Sequence, residues 1–302
     1  VTLGVVLALV LVQVLFASLA ITGKFVLPFV PALALVAFRL AGGALVFEAV
    51  RRRQPRVVIP AADRWRLIVL GLLGLALNQT LFLFGLRHST AINATILVAT
   101  IPVLTAIIGV VTGRERPTLL KMIGVGTAVA GTVWLIGPDR IAFDRATALG
   151  NLSIELGMVA YALYLVYSRD LVRRHGSIPS VALIFSSAAI GFLPLGIWAL
   201  WHLDWAAVPM SAWWWTLWIV IGPTVGTYFL NLWALKRTTS NVVAGFIYLQ
   251  PLMTAVVAPL VLAGESLTGR AIGAGLAIFV GLGCILRAEH EALEASAAAS
   301  PA

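Results

Sequence analysis

Charge is what this chain has least of. Only 11% of its 302 residues are Asp, Glu, Lys or Arg, less than half the share of an ordinary soluble domain. So few charges cannot clothe a soluble protein of this size. Hydrophobic residues make up 61%, and the mean hydropathy is +1.01. Cysteine is nearly absent too. Cys284 stands alone in the last apolar run, which excludes disulfides and cysteine metal clusters. The four histidines, His88, His175, His202 and His290, lie far apart in connections or the tail, at no metal-ligating spacing. No Gly-rich loop ending in Lys-Ser/Thr is present, so the chain holds no ATP-hydrolysing motif. No Ser–His–acid set gathers on one side of the membrane pattern. These gaps argue against an enzyme and call for no cofactor and no metal. The net charge of +9 would point to nucleic acid in a soluble chain. Here the cations sit in short runs between apolar spans, so nucleic acid is not an expected partner.

What is present is a series of apolar runs. A bilayer crossing takes about 20 residues, and ten spans can be placed: 3–23, 31–50, 67–86, 91–112, 122–136, 150–168, 179–201, 213–235, 241–262 and 272–287. The first has no basic segment before it and continues past Ala20, so it reads as an uncleaved helix. The fifth and tenth are short and rich in small residues, as suits close helix packing. The connections after even-numbered spans, with the C-terminal end, hold fifteen basic residues; the opposite side holds five. The positive-inside rule then places both termini in the cytoplasm. Trp213, Trp214 and Trp215 open the eighth span on the outer side, where an aromatic belt belongs.

A shift of 149 positions aligns two long stretches without a gap. Leu86 meets Leu235, Arg87 meets Lys236, Pro102 meets Pro251, Thr105-Ala106 meets Thr254-Ala255, and Ile123-Gly124 meets Ile272-Gly273. A weaker match near the N-terminus, at a shift of 145, pairs Ala17 with Ala162. Five spans is an odd number, so the second copy enters the membrane from the other side. The basic bias accordingly reverses between equivalent connections. This pattern marks inverted repeats, which transporters use for alternating access. The expected fold is an all-α integral membrane protein of ten transmembrane helices. Residues 1–145 and 146–288 form the two five-helix repeats, and 289–302 a disordered cytoplasmic tail.

Several motifs join into one pattern. They are Phe38-Arg39 in the second span, the small polar starts Ser89-Thr90-Ala91 and Thr238-Thr239-Ser240, and the prolines of spans four and nine. Gly264-Glu265-Ser266-Leu267 follows span nine, and Gly113-Arg114-Glu115-Arg116-Pro117 is its looser first copy. Over nearly the whole chain the pattern resembles the drug/metabolite transporter superfamily, in particular its ten-helix EamA-type members. The resemblance implies a ten-helix exporter of small metabolites in a bacterial inner membrane, with amino-acid exporters, aromatic ones included, as the most similar branch. It implies a small-molecule substrate and surrounding lipid as partners, and a monomer is compatible with it. A multidrug or cation carrier, or a lipid-handling one, is the main rival. An intramembrane lipid-modifying enzyme is a remoter one, for want of a clustered nucleophile or acid pair.

Candidate site residues are the polar ones within spans. Arg39 lies eight residues into span two, about 12 Å deep at 1.5 Å per residue. It reads either as a fork for a substrate carboxylate or as a fixed structural pair. Glu155, five residues into span six with Asn151 one turn before it, reads as a cation or proton site, or as a wetted acid near the interface. Gln13, Asn78, Gln79, Asn231 and Gln250 each read as interhelical glue singly, and together as a polar cavity near the midplane. All five tyrosines fall in the second repeat; of these Tyr161, Tyr228 and Tyr248 lie deepest and suit an amphipathic, aromatic cargo. Pro102 and Pro251 read equally as paired hinges or as static kinks. Gly109–Gly113 and Gly222–Gly226 have the spacing of helix-packing motifs.

Overall fold

Hydrocarbon offers a backbone no hydrogen-bond partner, so an apolar run must fold as a helix that satisfies itself. The computed structural model describes residues 1–89, 97–114, 117–136, 145–250, 253 and 269–298. Among the described residues every regular element is helical. In chain order they are α1 (Leu3–Val26), α2 (Ala32–Arg52), α3 (Ala61–Gly71), α4 (Asn78–Arg87), α5 (Ile101–Val111) and α6 (Leu119–Ile136). There follow α7 (Arg145–His175), α8 (Ser177–Trp201), α9 (Met210–Ile219), α10 (Thr227–Leu235), α11 (Ser240–Gly245) and α12 (Gly269–Ala298). Among the described residues five stretches are long and apolar enough to cross a membrane: Ala32–Arg52, Ala61–Gly85, Ala148–His175, Ser177–Trp201 and Met210–Leu235. Shorter apolar helices accompany them at Leu3–Leu19, Ile101–Val111, Leu119–Trp134 and Ile272–Ala288. Large apolar side chains face outward: Leu45 is 73% exposed and Ile190 71%. A water-soluble surface does not carry so many, and a lipid-facing one requires them.

Two π turns interrupt the long helices. Leu72–Leu77 joins α3 to α4, and Val220–Gly226 joins α9 to α10. Shifted by 149 positions, the first falls on 221–226, within the second. The repeat in the sequence is therefore also a repeat of an uncommon backbone feature, and π turns tend to mark functional positions.

Helix pairing follows the same exchange. On α6 and α12, a Cβ at Gly124 would lie 2.7 Å from the Gly281 carbonyl, and one at Gly131 would lie 3.0 Å from that of Ala274. Residue numbers rise on one helix as they fall on the other, so the pair is antiparallel. It is the most extensive helix pair among the described residues. α2 and α8 run antiparallel through Phe47 with Phe185 (ring centroids 5.1 Å apart) and Ala37 with Gly196. α1 lies along α9 and α10: Gly4 near Trp233, Leu15 against Gly222 and Gly226, Phe25 stacked on Trp215. α7 lies along α3 and α4 in the same sense: Gly85 against Ile154, Gly157 against Leu81, Gly74 against Tyr164. Each contact thus has its counterpart with the halves exchanged.

The two ends of the bundle differ in chemistry. At one, Phe38, Trp205 and Trp213 form an aromatic group with centroids 5.6–6.1 Å apart. At the other, Asp63 at the start of α3 accepts from His175 Nε2 at 2.8 Å and Arg174 Nη1 at 3.0 Å, both at the end of α7. Arg66 also reaches Asp63, at 3.4 Å.

Three local features depart from the sequence reading. Span four was expected to be one helix kinked at Pro102; instead the chain turns at Ala99–Thr100 and α5 begins at Ile101. Pro102 stands in the first turn of α5, where its missing N–H costs nothing. Gly113 is not a packing glycine. It has φ +66° and ends α5, with Gly113 N–H donating to Val110 and Arg114 N–H to Gly109, the paired bonds of a Schellman cap. Finally, α12 continues past Arg287 to Ala298, where a disordered tail was expected. Its Ala-rich sequence has high helix propensity, and Arg287 pairs with Glu291 at 2.9 Å one turn on.

The α6–α12 contact gives a direct test. Gly281→Val would force a side chain into the backbone of Gly124 and Ala128, whereas Gly283→Val points into open space. Overpacking of this kind costs about 1–3 kcal/mol. Thermal denaturation in detergent should show Gly281→Val markedly less stable and Gly283→Val close to the parent.

Candidate functional site

The polar residues of the spans divide into two groups, those that join helices and those that converge. Asn78 belongs to the first. Its Nδ2 donates to the Gly157 carbonyl at 2.9 Å, and Ser153 Oγ donates to that of Leu81 at 2.9 Å. Ser89 donates to Asn151 at the end of the same seam. These bonds fasten α4 to α7, so Asn78 is interhelical glue, and Asn151 is held by Ser89.

The second group is built around Arg39. The guanidinium Nε donates to Thr224 Oγ1 at 2.9 Å. Thr224 in turn donates to the Ile219 carbonyl, five residues back, at 2.9 Å. That carbonyl is reachable because the backbone is π-wound there. Each residue of this chain of bonds depends on the last: the turn places Thr224, and Thr224 orients the planar fork. Among the described residues no carboxylate pairs with Arg39, and its two terminal nitrogens have no hydrogen-bond partner. An intramembrane Arg costs about 2.5–3.5 kcal/mol on insertion scales, so a half-paired one is an unfinished interaction.

Tyr228 sits one turn beyond Thr224 and lies within electrostatic reach of Arg39. Its ring meets Phe185 edge-on at 5.0 Å. Gln79, which the 149 shift pairs with Tyr228, adjoins the Tyr228 hydroxyl. Neither amide atom of Gln79 has a partner at hydrogen-bonding geometry. Asn231 adjoins the Tyr161 hydroxyl, while its own Oδ1 is unpartnered. Tyr161 and Tyr164 lie side by side, centroids 5.5 Å apart, and the Tyr164 hydroxyl is buried without a partner. Arg39, Gln79, Tyr161, Tyr228 and Asn231 are thus brought together, from both halves of the chain.

Gln13 and Tyr248 are buried, and Gln13 Oε1 and the Tyr248 hydroxyl lack partners. Gln250 is half-buried at the end of the described stretch, and Pro251 lies outside the described residues. Glu155 faces the break before α5. Both its carboxylate oxygens lie near Thr100 Oγ1, at 3.1 and 3.2 Å, yet that hydroxyl also contacts the Leu97 carbonyl at 2.7 Å. One hydroxyl proton cannot serve both. The charge state of Glu155 is therefore felt by the turn that replaces the expected kink.

Sequence reasoning missed Thr224, Tyr164 and Phe185. Thr224 lies inside Gly222–Gly226, which was read for packing alone, and does pack: both glycines meet Leu15. A threonine beside Pro223, in a span equivalent to one bearing two amides, was the available signal. Nothing in the sequence pointed to Phe185.

Long apolar helices with outward-facing hydrophobic side chains, around an arginine that no carboxylate meets among the described residues, mark a multi-pass membrane protein by class. Comparison with known proteins makes the class specific. The model of the EamA-like transporter family matches residues 2–137 and again 148–287, and the chain belongs to that family. It is 28% identical over 203 residues to an uncharacterized transporter of Archaeoglobus fulgidus, covering 66% of this chain and 68% of that one. It is 21% identical over 221 residues to the uncharacterized transporter YyaM of Bacillus subtilis, covering 72% and 69%. It is also 24% identical over 165 residues to the uncharacterized inner membrane transporter YicL of Salmonella typhimurium, covering 54% and 51%. A solved crystal structure superposes with TM-score 0.79 at 20% identity, over 94% of this chain and 98% of the other, which shows the fold.

The Arg39–Thr224 bond is testable by itself. Thr224→Val removes the acceptor while keeping the bulk, and should destabilise the detergent-solubilised protein by about 1–3 kcal/mol. Thr224→Ser should restore most of that loss. Equal melting temperatures for the parent and the valine variant would show that the bond does not hold Arg39.

Proposed function

We propose that this chain is a secondary transporter of a bacterial inner membrane that exports small amphipathic metabolites. Amino acids, aromatic ones included, are the leading substrate class. On this reading ten helices form two inverted repeats, 1–145 and 146–288, with both termini in the cytoplasm. Substrate is held near the midplane and exposed to each side in turn. The observation that carries the reading is Arg39. A guanidinium fixed through Nε alone, with no acid in reach among the described residues, matches a substrate carboxylate. The buried amides of Gln79 and Asn231 and the rings of Tyr161, Phe185 and Tyr228 supply polar and aromatic surface beside it. The reciprocal antiparallel pairing supports rocking of one half against the other. The aromatic and basic ends of the bundle support the orientation. Pro102 and Pro251 serve as hinges, the first in the opening turn of α5, just after the chain turn at Ala99–Thr100.

A second reading rests on Glu155. Among the described residues Glu155 has a hydroxyl as its one hydrogen-bond partner, and such an acid could take cationic cargo, or a proton that drives export. The two readings separate by residue. Counterflow in proteoliposomes, with a labelled panel of amino acids and organic cations at two internal pH values, is the deciding measurement. Amino-acid export predicts saturable counterflow of one or more amino acids. Arg39→Gln and Arg39→Lys should each lower it about tenfold or more, because lysine cannot reproduce the fork. The rival predicts cation counterflow abolished by Glu155→Gln and indifferent to Arg39. Amino-acid counterflow unaffected by substitutions at Arg39, Gln79, Tyr228 and Gln250 would remove the assigned site.

A further inference from the structure

One cavity lies away from the Arg39 cluster. It has a volume of about 380 Å³ and opens at the end of the bundle that carries the basic connections. Three parts of the chain line it: the segment after α2, the turn from α7 into α8, and α10 from Phe229 on, with Lys236 and Arg237 just beyond its end. Two cations stand at its rim, Lys236 and Arg237, and its lining contains no acid. Lys236 is exposed, and among the described residues no carboxylate pairs with either cation.

Arg237 is held in place without being neutralised. One Nη donates to the Trp233 carbonyl at 2.9 Å, and the guanidinium carbon lies 3.9 Å above the Trp233 ring. A stacked guanidinium keeps its charge and its remaining N–H donors. His175 also lines the cavity, and its Nε2 is already engaged by Asp63. Asp63, the acid that meets His175, is itself occupied by three basic partners. The field inside the cavity is therefore positive.

Its other wall is apolar. Phe229 and Trp233 are half-buried aromatics on one face of α10, one turn apart. From Lys236 back to Phe229 the helix descends about 10 Å at 1.5 Å per residue. That is the step from headgroup level into hydrocarbon. A free anion would use the rim and leave the aromatic wall bare. A phospholipid uses both.

We infer that this cavity is a binding site for an anionic phospholipid, the phosphate on Lys236 and Arg237 and the acyl chain along Trp233 and Phe229. Basic pockets between transmembrane helices at a cytoplasmic face bind anionic headgroups in this way. The bound lipid would bridge the end of α10 to the turn after α7, and so would join elements that must move if the bundle rocks. The site is separate from the cargo site, and stands whether the cargo is an amino acid or a cation.

Native mass spectrometry of the full chain in detergent tests this, with phosphatidylglycerol, phosphatidylcholine or inorganic phosphate added. The expected result is saturable retention of phosphatidylglycerol over phosphatidylcholine, with matching thermal stabilisation. The double substitution Lys236→Ala/Arg237→Ala should weaken retention about tenfold or more. Arg53→Ala/Arg56→Ala, at the same end but outside the cavity, should leave it unchanged. Lys236→Gln, a single change at an exposed position, guards against misfolding of the double variant and should give an intermediate loss. Equal retention by parent and both cavity variants would overturn the assignment. So would equal binding of the zwitterionic lipid, or saturation of the stabilisation by inorganic phosphate alone.

Discussion

A polar group inside a bilayer must find its partner in the protein, because hydrocarbon supplies none. That constraint orders the interior of this transporter. Threonines within helices turn back onto their own carbonyls, as Thr132 does onto Ala128 at 2.9 Å and Thr216 onto Ala212 at 2.8 Å. Asn78 and Ser153 spend themselves on carbonyls of the neighbouring helix. Where the winding loosens into a π turn, Thr224 covers the Ile219 carbonyl and still accepts from Arg39. Other buried polar atoms have no partner at hydrogen-bonding geometry, and the amides among them carry information. An unserved buried amide costs about 1–3 kcal/mol. Gln79, Asn231 and Gln13 bear that cost in the state seen here. Two of these three lie beside tyrosine hydroxyls in the Arg39 cluster, and a substrate with a carboxylate and an amine would meet the same unmet needs.

The constraint also explains why the halves pair as they do. A helix that enters from the opposite side lies antiparallel to its counterpart, and glycines permit the backbones to touch. Gly124 and Gly281 meet where a side chain on either would collide with the other's carbonyl. Small residues make this possible, since packing rather than hydrophobic expulsion holds helices together in lipid. The reciprocity of α1 with α9–α10 and of α7 with α3–α4 then follows from one exchange operation applied to the chain. The two π turns obey it as well, though their sequences, Leu72–Leu77 and Val220–Gly226, differ.

Much of this was legible in the sequence, for definite reasons. The helical, membrane-spanning class depends on apolar run length, a bulk property read directly from the sequence. The repeat was visible because a rare residue, Pro102, recurs as Pro251 and the glycine Gly124 as Gly273. Backbone irregularities were not legible. A π turn inserts one residue without changing composition, and Leu72–Leu77 reads like any apolar helix. The turn at Ala99–Thr100 was hidden because a proline signals disruption and leaves open whether the helix bends or restarts. Among side chains, deep amides and the lone deep arginine stood out by scarcity. Thr224 did not, since threonine is common in membrane helices and its role comes only from the winding beneath it. Asp63 and His175 lie 112 positions apart, and only the packing of α3 on α7 brings them together.

The polar cluster does not share the symmetry of the scaffold. Arg39 and Gln79 come from the first half, whereas Thr224, Tyr228, Asn231 and Tyr161 come from the second. The exchange operation maps Gln79 onto Tyr228, and so pairs an amide with a phenol. A symmetric scaffold makes inward-open and outward-open states similar in energy, which rocking requires. On the proposed reading, an asymmetric interior would give the bound molecule a fixed orientation, because its charged group would have one arginine to seek. Cargo would then keep its carboxylate on α2 while the surfaces around it trade exposure. Rocking would change which half shields the Arg39–Thr224 bond from water. Since that bond spans the two halves, its strength would enter the energy of such a motion as well as that of binding.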